Sequence, residues 1–377
     1  MPWSTPIVSE LRIAFVHAVR TAGRPVTQAA RDFGISRKTA YKWLARYDDE
    51  QPLVDHSRRP HNSPTRTSST LEDAVLAVRD EYHWGPRKIH AYLIQKHQTP
   101  PPIRTIADIL SRHKRIISKE NQPITPDPVR FERGQPNELW QLDFKGWIEI
   151  ARVRVSPLSI LDDHSRFLVA LQPCTDLTMQ TAWNVLWNAF GEYGLPEAIL
   201  CDNAFGSNFT HLPGVSWFEC QLIRLGIRPI HGRPYHPQTQ GKVERFHGTL
   251  VREVYTYIDK TSLITFTSGL DQWRLNTYNP IRPHEALGDK PPITRWRPSS
   301  RPRPATMPVV IYPPGSVLRR VGSNGLFEYR SARILAGQGL RGESVRVEEA
   351  DGFLVVSYAT KEIRRVPLDR LPKTGIV

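Results

Sequence analysis

The chain has 377 residues, of which 51 are Lys or Arg and 37 are Asp or Glu, so its net charge is +14. This length allows two or three domains, and no run of about 18 apolar residues is present that could cross a membrane. The three cysteines form no C-x-x-C pair, which excludes a disulfide framework and a cysteine-based zinc finger and fits a reducing cytosol.

The charge is unevenly distributed along the chain. Residues 1–130 carry a net charge of +8, residues 131–294 carry −2, and residues 295–377 carry +8. Two basic flanks favour a polyanionic partner, most simply nucleic acid. The slightly acidic centre suits carboxylates that hold metal ions. An ordinary solubilising surface is the alternative interpretation.

The first segment, residues 8–50, is predicted to be a helix-turn-helix DNA-binding domain. Gly34 permits a tight turn between two helices, and Ser36 is a good N-cap for the second helix. That helix leaves polar and basic side chains outward near its start, where a recognition helix contacts bases and phosphates. We therefore predict DNA contacts from Arg37, Lys38, Thr39 and Lys42. A plain helical hairpin is the alternative.

Two polar segments are predicted to be linkers. Residues 51–70 are rich in Pro, Ser and Thr and have almost no apolar content. Arg58 and Arg59 in this segment are candidates to lie along a DNA groove, with a merely solvated linker as the alternative. Residues 118–137 are again polar and rich in Pro, and we place a domain boundary there.

A second helical module is predicted over residues 71–117, between the two linkers. Pro86 stands in the first turn of its middle helix, where proline is well tolerated. Its last helix is basic, and Arg104 is the DNA contact that we predict there. The module is either a second helix-turn-helix-like unit that contacts DNA or a positioning and oligomerisation module.

The rest of the chain contains two segments of different predicted secondary structure. Residues 138–294 alternate strand-like and helix-like runs, which predicts an α/β domain. Residues 309–371 contain short strand-like runs, beginning at Val309–Tyr312 and separated by Gly, Asn and Asp turns. These runs predict a small antiparallel all-β barrel.

Three carboxylates of the central segment are candidates for one site. Asp143 lies inside an apolar run, Asp202 ends a predicted strand, and Glu244 begins a predicted helix. Acids that converge in this way are costly unless cations neutralise them. Hard divalent cations such as Mg²⁺ or Mn²⁺ are the natural partners of carboxylate oxygens. Taken singly, the three could instead be an edge-strand acid, a turn former and a solvated helix residue.

The central segment resembles the catalytic core of retroviral integrases and of bacterial insertion-sequence transposases of the D-D-E type. The resemblance is carried by motifs in the family order, with a further similarity to the bacterial members at W-G-P-R-K-I-H-A-Y-L (Trp84–Leu93). These motifs are Trp140–Phe144, Leu161–Arg166, Gly194–Asn203, Leu225–Pro229, His236–Leu250 and Tyr278–Leu287. The zinc-binding element of retroviral integrases is missing, because no cysteine precedes Cys174. This favours a bacterial transposase.

The resemblance implies a fold and a site. The fold would be an RNase H-like core between helix-turn-helix modules and an SH3-like barrel. Asp143, Asp202 and Glu244 match the catalytic triad that holds two Mg²⁺ or Mn²⁺ ions. Asp162 and Asp163 match a structural turn. Additional DNA contacts are predicted from the motif that contains the glutamate, at Gln240, Lys242 and Arg245.

The function implied is DNA transposition. Water would free a 3′ end of the element, and that 3′-hydroxyl would attack double-stranded target DNA, with the protein acting as a homo-oligomer on DNA in the cytoplasm, at the nucleoid. The sequence departs from the family at Ala204, where Gly is usual, and in the 41 residues between Asp202 and Glu244. The alternatives are a sequence-specific DNA-binding regulator or recombination scaffold with an inactive core, and a nuclease that cuts without joining.

Overall fold

A computed structural model describes residues 8–55, 67–116, 132–202, 205, 214–232, 241–371 and 375–376. Its contacts divide the chain into two compact units, with the boundary after residue 66. Within the described ranges, no helix is long and apolar enough to cross a membrane.

The N-terminal unit is a bundle of three helices, namely α1 (Val8–Arg20), α2 (Val26–Asp32) and α3 (Arg37–Asp48). Gly34 adopts a positive φ of 67° between α2 and α3, a conformation that glycine tolerates without cost. Ser36 caps α3, since its hydroxyl accepts a hydrogen bond from the Thr39 amide. The core contains Phe15 and Trp43. The start of α3 therefore projects from a small, well-packed support.

The second unit begins with three more helices, α4 (Ser69–Tyr82), α5 (Pro86–Gln95) and α6 (Ile103–Arg112). Their apolar faces meet in one cluster that includes Trp84, Ile89 and Ile109. Pro86 occupies the first turn of α5, as the sequence predicts.

In its described residues, the central α/β region has six strands and four α-helices. The strands are β1 (Trp140–Phe144), β2 (Ile148–Ile150), β3 (Val153–Asp162), β4 (Leu168–Cys174), β5 (Ala198–Cys201) and β6 (Arg228–His231). The helices are α7 (Met179–Tyr193), α8 (Trp217–Arg224), α9 (Gly241–Leu250) and α10 (Leu263–Trp273). A π-helical turn, Val251–Tyr255, continues α9, and a second one, Arg274–Tyr278, continues α10.

These strands form a mixed sheet. β1 pairs antiparallel with β3 and parallel with β5, while β3 also pairs with β2 and β4, and β5 pairs parallel with β6. Trp140 and Leu142 of β1 pack in a cluster with residues of α7 and α8. A separate cluster joins α9 and α10 to β3 and β4. The alternate residues of β1 therefore face α9.

The described residues of the C-terminal region form seven strands in two sheets. The strands are β7 (Leu318–Arg320), β8 (Leu326–Tyr329), β9 (Ala332–Leu335), β10 (Ser344–Ala350), β11 (Phe353–Tyr358), β12 (Lys361–Pro367) and β13 (Gly375–Ile376). One sheet has the order β12-β11-β10-β7 and the other β13-β9-β8. The described strands thus form no closed barrel. Residues 309–312 form no strand, because their backbone pairs with none of the described strands. Val309 and Ile311 are 80% and 89% exposed, Val310 packs on the core, and the Tyr312 hydroxyl donates a hydrogen bond to the Ser344 carbonyl.

The C-terminal sheets pack directly on α8. Val215, Cys220 and Ile223 share an apolar cluster with these strands. Glycine permits the close approach, since a Cβ added at Gly339 would lie 2.1 Å from the Ser216 backbone. The C-terminal region is therefore joined to the central sheet by a tight backbone contact and a common core.

A buried carboxylate joins the second helical module to the central region. Glu253, in the turn that continues α9, accepts hydrogen bonds from Lys88 at 2.5 Å and from Trp84 at 3.2 Å. Arg282 holds it from the other side with two bonds of 2.7 and 2.8 Å. Burial alone would raise the pKa of Glu253, but the hydrogen bonds and charges of Arg282 and Lys88 outweigh it and lower the pKa to about 2.

Replacing Glu253 with Gln is expected to destabilise the protein by about 3 kcal/mol at pH 7, because the buried guanidinium of Arg282 is then left without a counter-charge. The pKa in the folded state lies below the ordinary value of 4.5. The stabilisation is therefore complete above pH 4.5 and is lost as the pH falls towards 2. Urea unfolding at several pH values measures it. In the control Glu328→Gln the side chain is 78% exposed, and an equal loss there would contradict the prediction.

Candidate catalytic site

Two of the three candidate acids stand at the same edge of the sheet. In the parallel pair of β1 and β5, Trp140 lies opposite Ile199 and Gln141 opposite Leu200. Continuing this register by two residues places Asp143 beside Asp202, which directly follows β5. Neighbouring residues of parallel strands point to the same face, so the two carboxylates share one face and one edge.

The third acid is brought to that face by α9. Val243 and Phe246 of this helix are buried against the sheet, and α9 contacts both β1 and β3. Glu244 follows Val243 and is exposed, because the apolar stripe of the helix turns its next residue outward. Hydrophobic packing of α9 thus carries Glu244 to the sheet edge without burying it.

Burial and the charges of Asp202 and Glu244 act on Asp143. The pKa of Asp143 is raised from 3.8 to about 7 by burial first and then by the negative charge of Asp202. The charge of Glu244 raises it further, while a hydrogen bond from the Phe144 amide partly offsets these effects. In the described part of the chain, no three His, Cys, Asp or Glu side chains lie close enough together to hold a metal ion. The charges of the other two acids therefore reach Asp143, but the three side chains do not lie close enough together to form a set of metal ligands.

A histidine that the sequence analysis missed lies beside Asp143. His247 Nδ1 is 3.6 Å from Asp143 Oδ2, and its Nε2 is 2.7 Å from the hydroxyl of Ser159. Burial, with the nearby charge of Lys145, lowers the pKa of His247 to about 4, so the imidazole is neutral at pH 7. The available signal was its spacing, because a residue three positions after Glu244 returns to the same side of a helix.

The predicted DNA contacts fall into three groups. Arg37, Lys38 and Lys42 are exposed at the start of α3, and Thr39 is half-buried against Ser36. Arg104 and Arg245 are also exposed, Arg104 with 90% of its side chain accessible. Lys242 points instead to Asp163, with 2.5 Å between Nζ and Oδ1. Three further predictions lie outside the described residues, namely Arg58, Arg59 and Gln240, as does Ala204.

Comparison with known families identifies the central region. Residues 133–237 and 225–292 each match an integrase core domain. The N-terminal part matches a helix-turn-helix domain at 11–61 and a homeodomain-like domain at 39–110. The central region therefore carries an integrase core domain, and the N-terminal part carries helix-turn-helix domains. The resemblance stated from the sequence motifs is thereby confirmed.

Individual relatives include bacterial insertion elements. The chain is 25% identical over 235 residues to an uncharacterised protein of insertion element IS476 from Xanthomonas euvesicatoria. That match spans 61% of this chain and 65% of the relative. It is also 24% identical to a putative transposase of element IS5376 from Geobacillus stearothermophilus, over 91% of this chain and 84% of the relative. Among solved structures, the simian T-cell lymphotropic virus intasome aligns with a TM-score of 0.39 at 17% identity, over 78% of this chain and 96% of that one.

Asp143→Asn is expected to raise the unfolding temperature at pH 8 in metal-free buffer, by roughly 2–4 °C for each kcal/mol of repulsion relieved. The folded-state pKa of Asp143 lies above its ordinary value of 3.8. Its contribution to stability is therefore lost progressively as the pH rises from about 3.8 to 7. Scanning calorimetry in chelator measures this at pH 8 and pH 5.

The matched control is Asp351→Asn, at an exposed turn position with φ of 53°, which Asn tolerates well. The gain in Asp143→Asn should shrink at pH 5, where the wild-type carboxyl holds its proton. A gain of equal size at both pH values, or none at pH 8, would show that repulsion does not act on Asp143.

Proposed function

We propose that this protein is a DNA transposase that cleaves the 3′ ends of its element and joins them to target DNA. The observation that carries the proposal is the register of β1 and β5, which continued by two residues sets Asp143 beside Asp202, and the charge of Glu244 also acts on Asp143. In the first step a water oxygen attacks the phosphorus at the element end, and the bond to the 3′ oxygen breaks. In the second step the freed 3′-hydroxyl attacks a phosphorus of the target, and the bond from that phosphorus to the target's own 3′ oxygen breaks, so that a 3′-hydroxyl of the target leaves.

The residues proposed to hold two Mg²⁺ or Mn²⁺ ions are Asp143, Asp202 and Glu244. Their chemistry fits these ions, because carboxylate oxygens are the ligands that hard divalent cations prefer. Bound there, such ions activate an attacking oxygen and stabilise a leaving one in an in-line displacement. The repulsion that raises the pKa of Asp143 is what a cation would relieve.

The flanking regions are proposed to bind double-stranded DNA. Arg37, Lys38 and Lys42 form an exposed basic start of α3, suited to element ends. Further phosphate contacts are assigned to the basic C-terminal region, with its net charge of +8 over residues 295–377. Because two element ends must be joined together, we assign the active state to a homo-oligomer on nucleoid DNA.

The alternative, a DNA-binding regulator or scaffold with an inactive core, is less well supported by the site. A carboxyl group with its pKa near 7 destabilises the folded protein at neutral pH. A protein that only bound DNA would gain nothing from this loss of folding stability. Perturbed titration of clustered acids is instead typical of catalytic sites.

The proposal is tested with purified protein and a duplex that carries the end of its element. Nicked and joined products are measured with Mg²⁺ or Mn²⁺, with and without chelator. Both products should require metal, and Asp143→Ala, Asp202→Ala and Glu244→Ala should each abolish them while DNA binding survives. Glu149→Ala, at an exposed position of β2, is the control that should leave both products unchanged.

Cleavage that persists in Asp202→Ala would refute the assignment of the three acids. Tight, sequence-specific binding by the wild-type protein with no metal-dependent product would favour the regulator. Nicking without joining, at any concentration of target DNA, would favour the nuclease. Each outcome separates one alternative from the others.

DNA recognition by α3 is tested by the salt dependence of binding. Replacing Arg37 or Lys38 with Ala should reduce the slope of log affinity against log salt by about one unit for each phosphate that the protein no longer neutralises. A substitution that removes a hydrogen bond to a base should also reduce the difference in binding affinity between element-end DNA and unrelated DNA. Lys260→Ala, at an exposed loop position, is the control. If both variants keep the wild-type salt slope and the wild-type difference in affinity between element-end and unrelated DNA, α3 does not contact DNA.

A further inference from the structure

Asp163 is a buried carboxylate at the turn between β3 and β4, and only 2% of its side chain is exposed. It accepts a hydrogen bond from the Gln141 amide at 2.7 Å and from the Arg133 backbone at 2.8 Å. The ammonium of Lys242 approaches the same carboxylate at 2.5 Å and the carbonyl of Asp163 at 3.2 Å. Three separate segments of chain therefore meet on one side chain.

Two of these partners lie close in sequence to the proposed metal ligands. Gln141 precedes Asp143 by two residues on β1, so both side chains leave the same face of the strand. Lys242 precedes Glu244 by two residues in the first turn of α9. Asp163 thus connects the strand that carries Asp143 to the helix that carries Glu244.

The position of Lys242 is costly for a residue that serves only DNA. Its side chain is only 19% exposed, and its ammonium bonds both the carboxylate and the carbonyl of Asp163. A lysine that bound only phosphates would gain by remaining in solvent, as Arg245 does. The hydrogen bond and charge of Asp163 compensate for this burial. The ion pair with Asp163 therefore holds the Lys242 side chain in the protein interior.

We propose that Asp163 is a positioning residue, which fixes Glu244 relative to Asp143 by binding Lys242 and Gln141 at once. The proposal rests on the proposed function, since it concerns the two acids assigned to metal. It also assigns Lys242 to the placement of α9 rather than to DNA phosphates. His247 fixes the next turn of the same helix through Ser159, so α9 is held at two successive points.

The test uses the full-length variants Asp163→Asn, Lys242→Met and the double variant. Each should raise the Mn²⁺ concentration for half-maximal cleavage about tenfold or more and weaken Mn²⁺ binding measured by electron paramagnetic resonance of the free ion. The double variant should be no worse than the poorer single variant, because one linkage is broken in all three. DNA affinity and its salt slope should stay at the wild-type values. Asp351→Asn and Lys260→Met are the matched controls at exposed positions.

Lys242→Arg should recover part of the metal affinity, since it restores a cation opposite Asp163. If Asp163→Asn does not fold, Lys242→Met carries the test, because Asp163 keeps its bonds to Gln141 and Arg133. A Lys242→Met protein with a salt slope lower by about one unit and an unchanged metal requirement would make Lys242 a DNA contact and overturn the proposal.

The failure of this proposal is distinct from failure of the proposed function. A wild-type protein that neither binds Mn²⁺ nor cleaves DNA would refute the transposase assignment, and the positioning role would be refuted with it. An active wild-type protein whose two single variants bind Mn²⁺ equally well would refute only the positioning role. Independent, additive effects of the two substitutions would also overturn it.

Discussion

The negative charge held beside a partly buried Asp143 is the constraint on which the rest of the site depends. Asp143 is partly buried beside Asp202 and within reach of the charge of Glu244, which is why its pKa rises to about 7. Acids left free to move would separate into solvent. The fold must therefore hold them by interactions that cost more to break than the repulsion releases, and the two strand acids are fixed by a different kind of interaction from the helix acid.

The strand acids are fixed by backbone pairing, and the helix acid by side chains. The hydrogen-bonded register of β1 and β5, continued by two residues, places Asp143 and Asp202 side by side. α9 has no such ladder, so it is held by Phe246 in the apolar cluster and by His247 on Ser159. Glu253 then ties the end of the same helical segment to the second helical module. A line of contacts thus runs from that module to α9, the helix that carries Glu244.

The sequence predicted the parts of the molecule that local pattern determines. The helix-turn-helix domains are confirmed, because Gly34 and Ser36 act within a few residues of their own positions. The assignment of the three acids stays a prediction. The closed barrel was not found, since strand-like runs do not specify which strands pair, and residues 309–312 have high strand propensity but no partner among the described strands. The roles of His247 and Glu253 escaped prediction because their partners lie 88 and 165 residues away.

The family motifs therefore divide into two physical kinds. Those that carry Asp143, Asp202 and Glu244 place charge where solvent and cations can reach it. The motif Tyr278–Leu287 does something else, since Arg282 binds Glu253 and Asn279 exchanges hydrogen bonds with the backbone of Leu168. The Trp84–Leu93 motif contributes the opposing hydrogen bonds through Trp84 and Lys88. The long polar motifs that lack the three acids thus join separate segments of the chain. A charged residue within such a motif is therefore better explained by an intramolecular partner than by a contact with DNA.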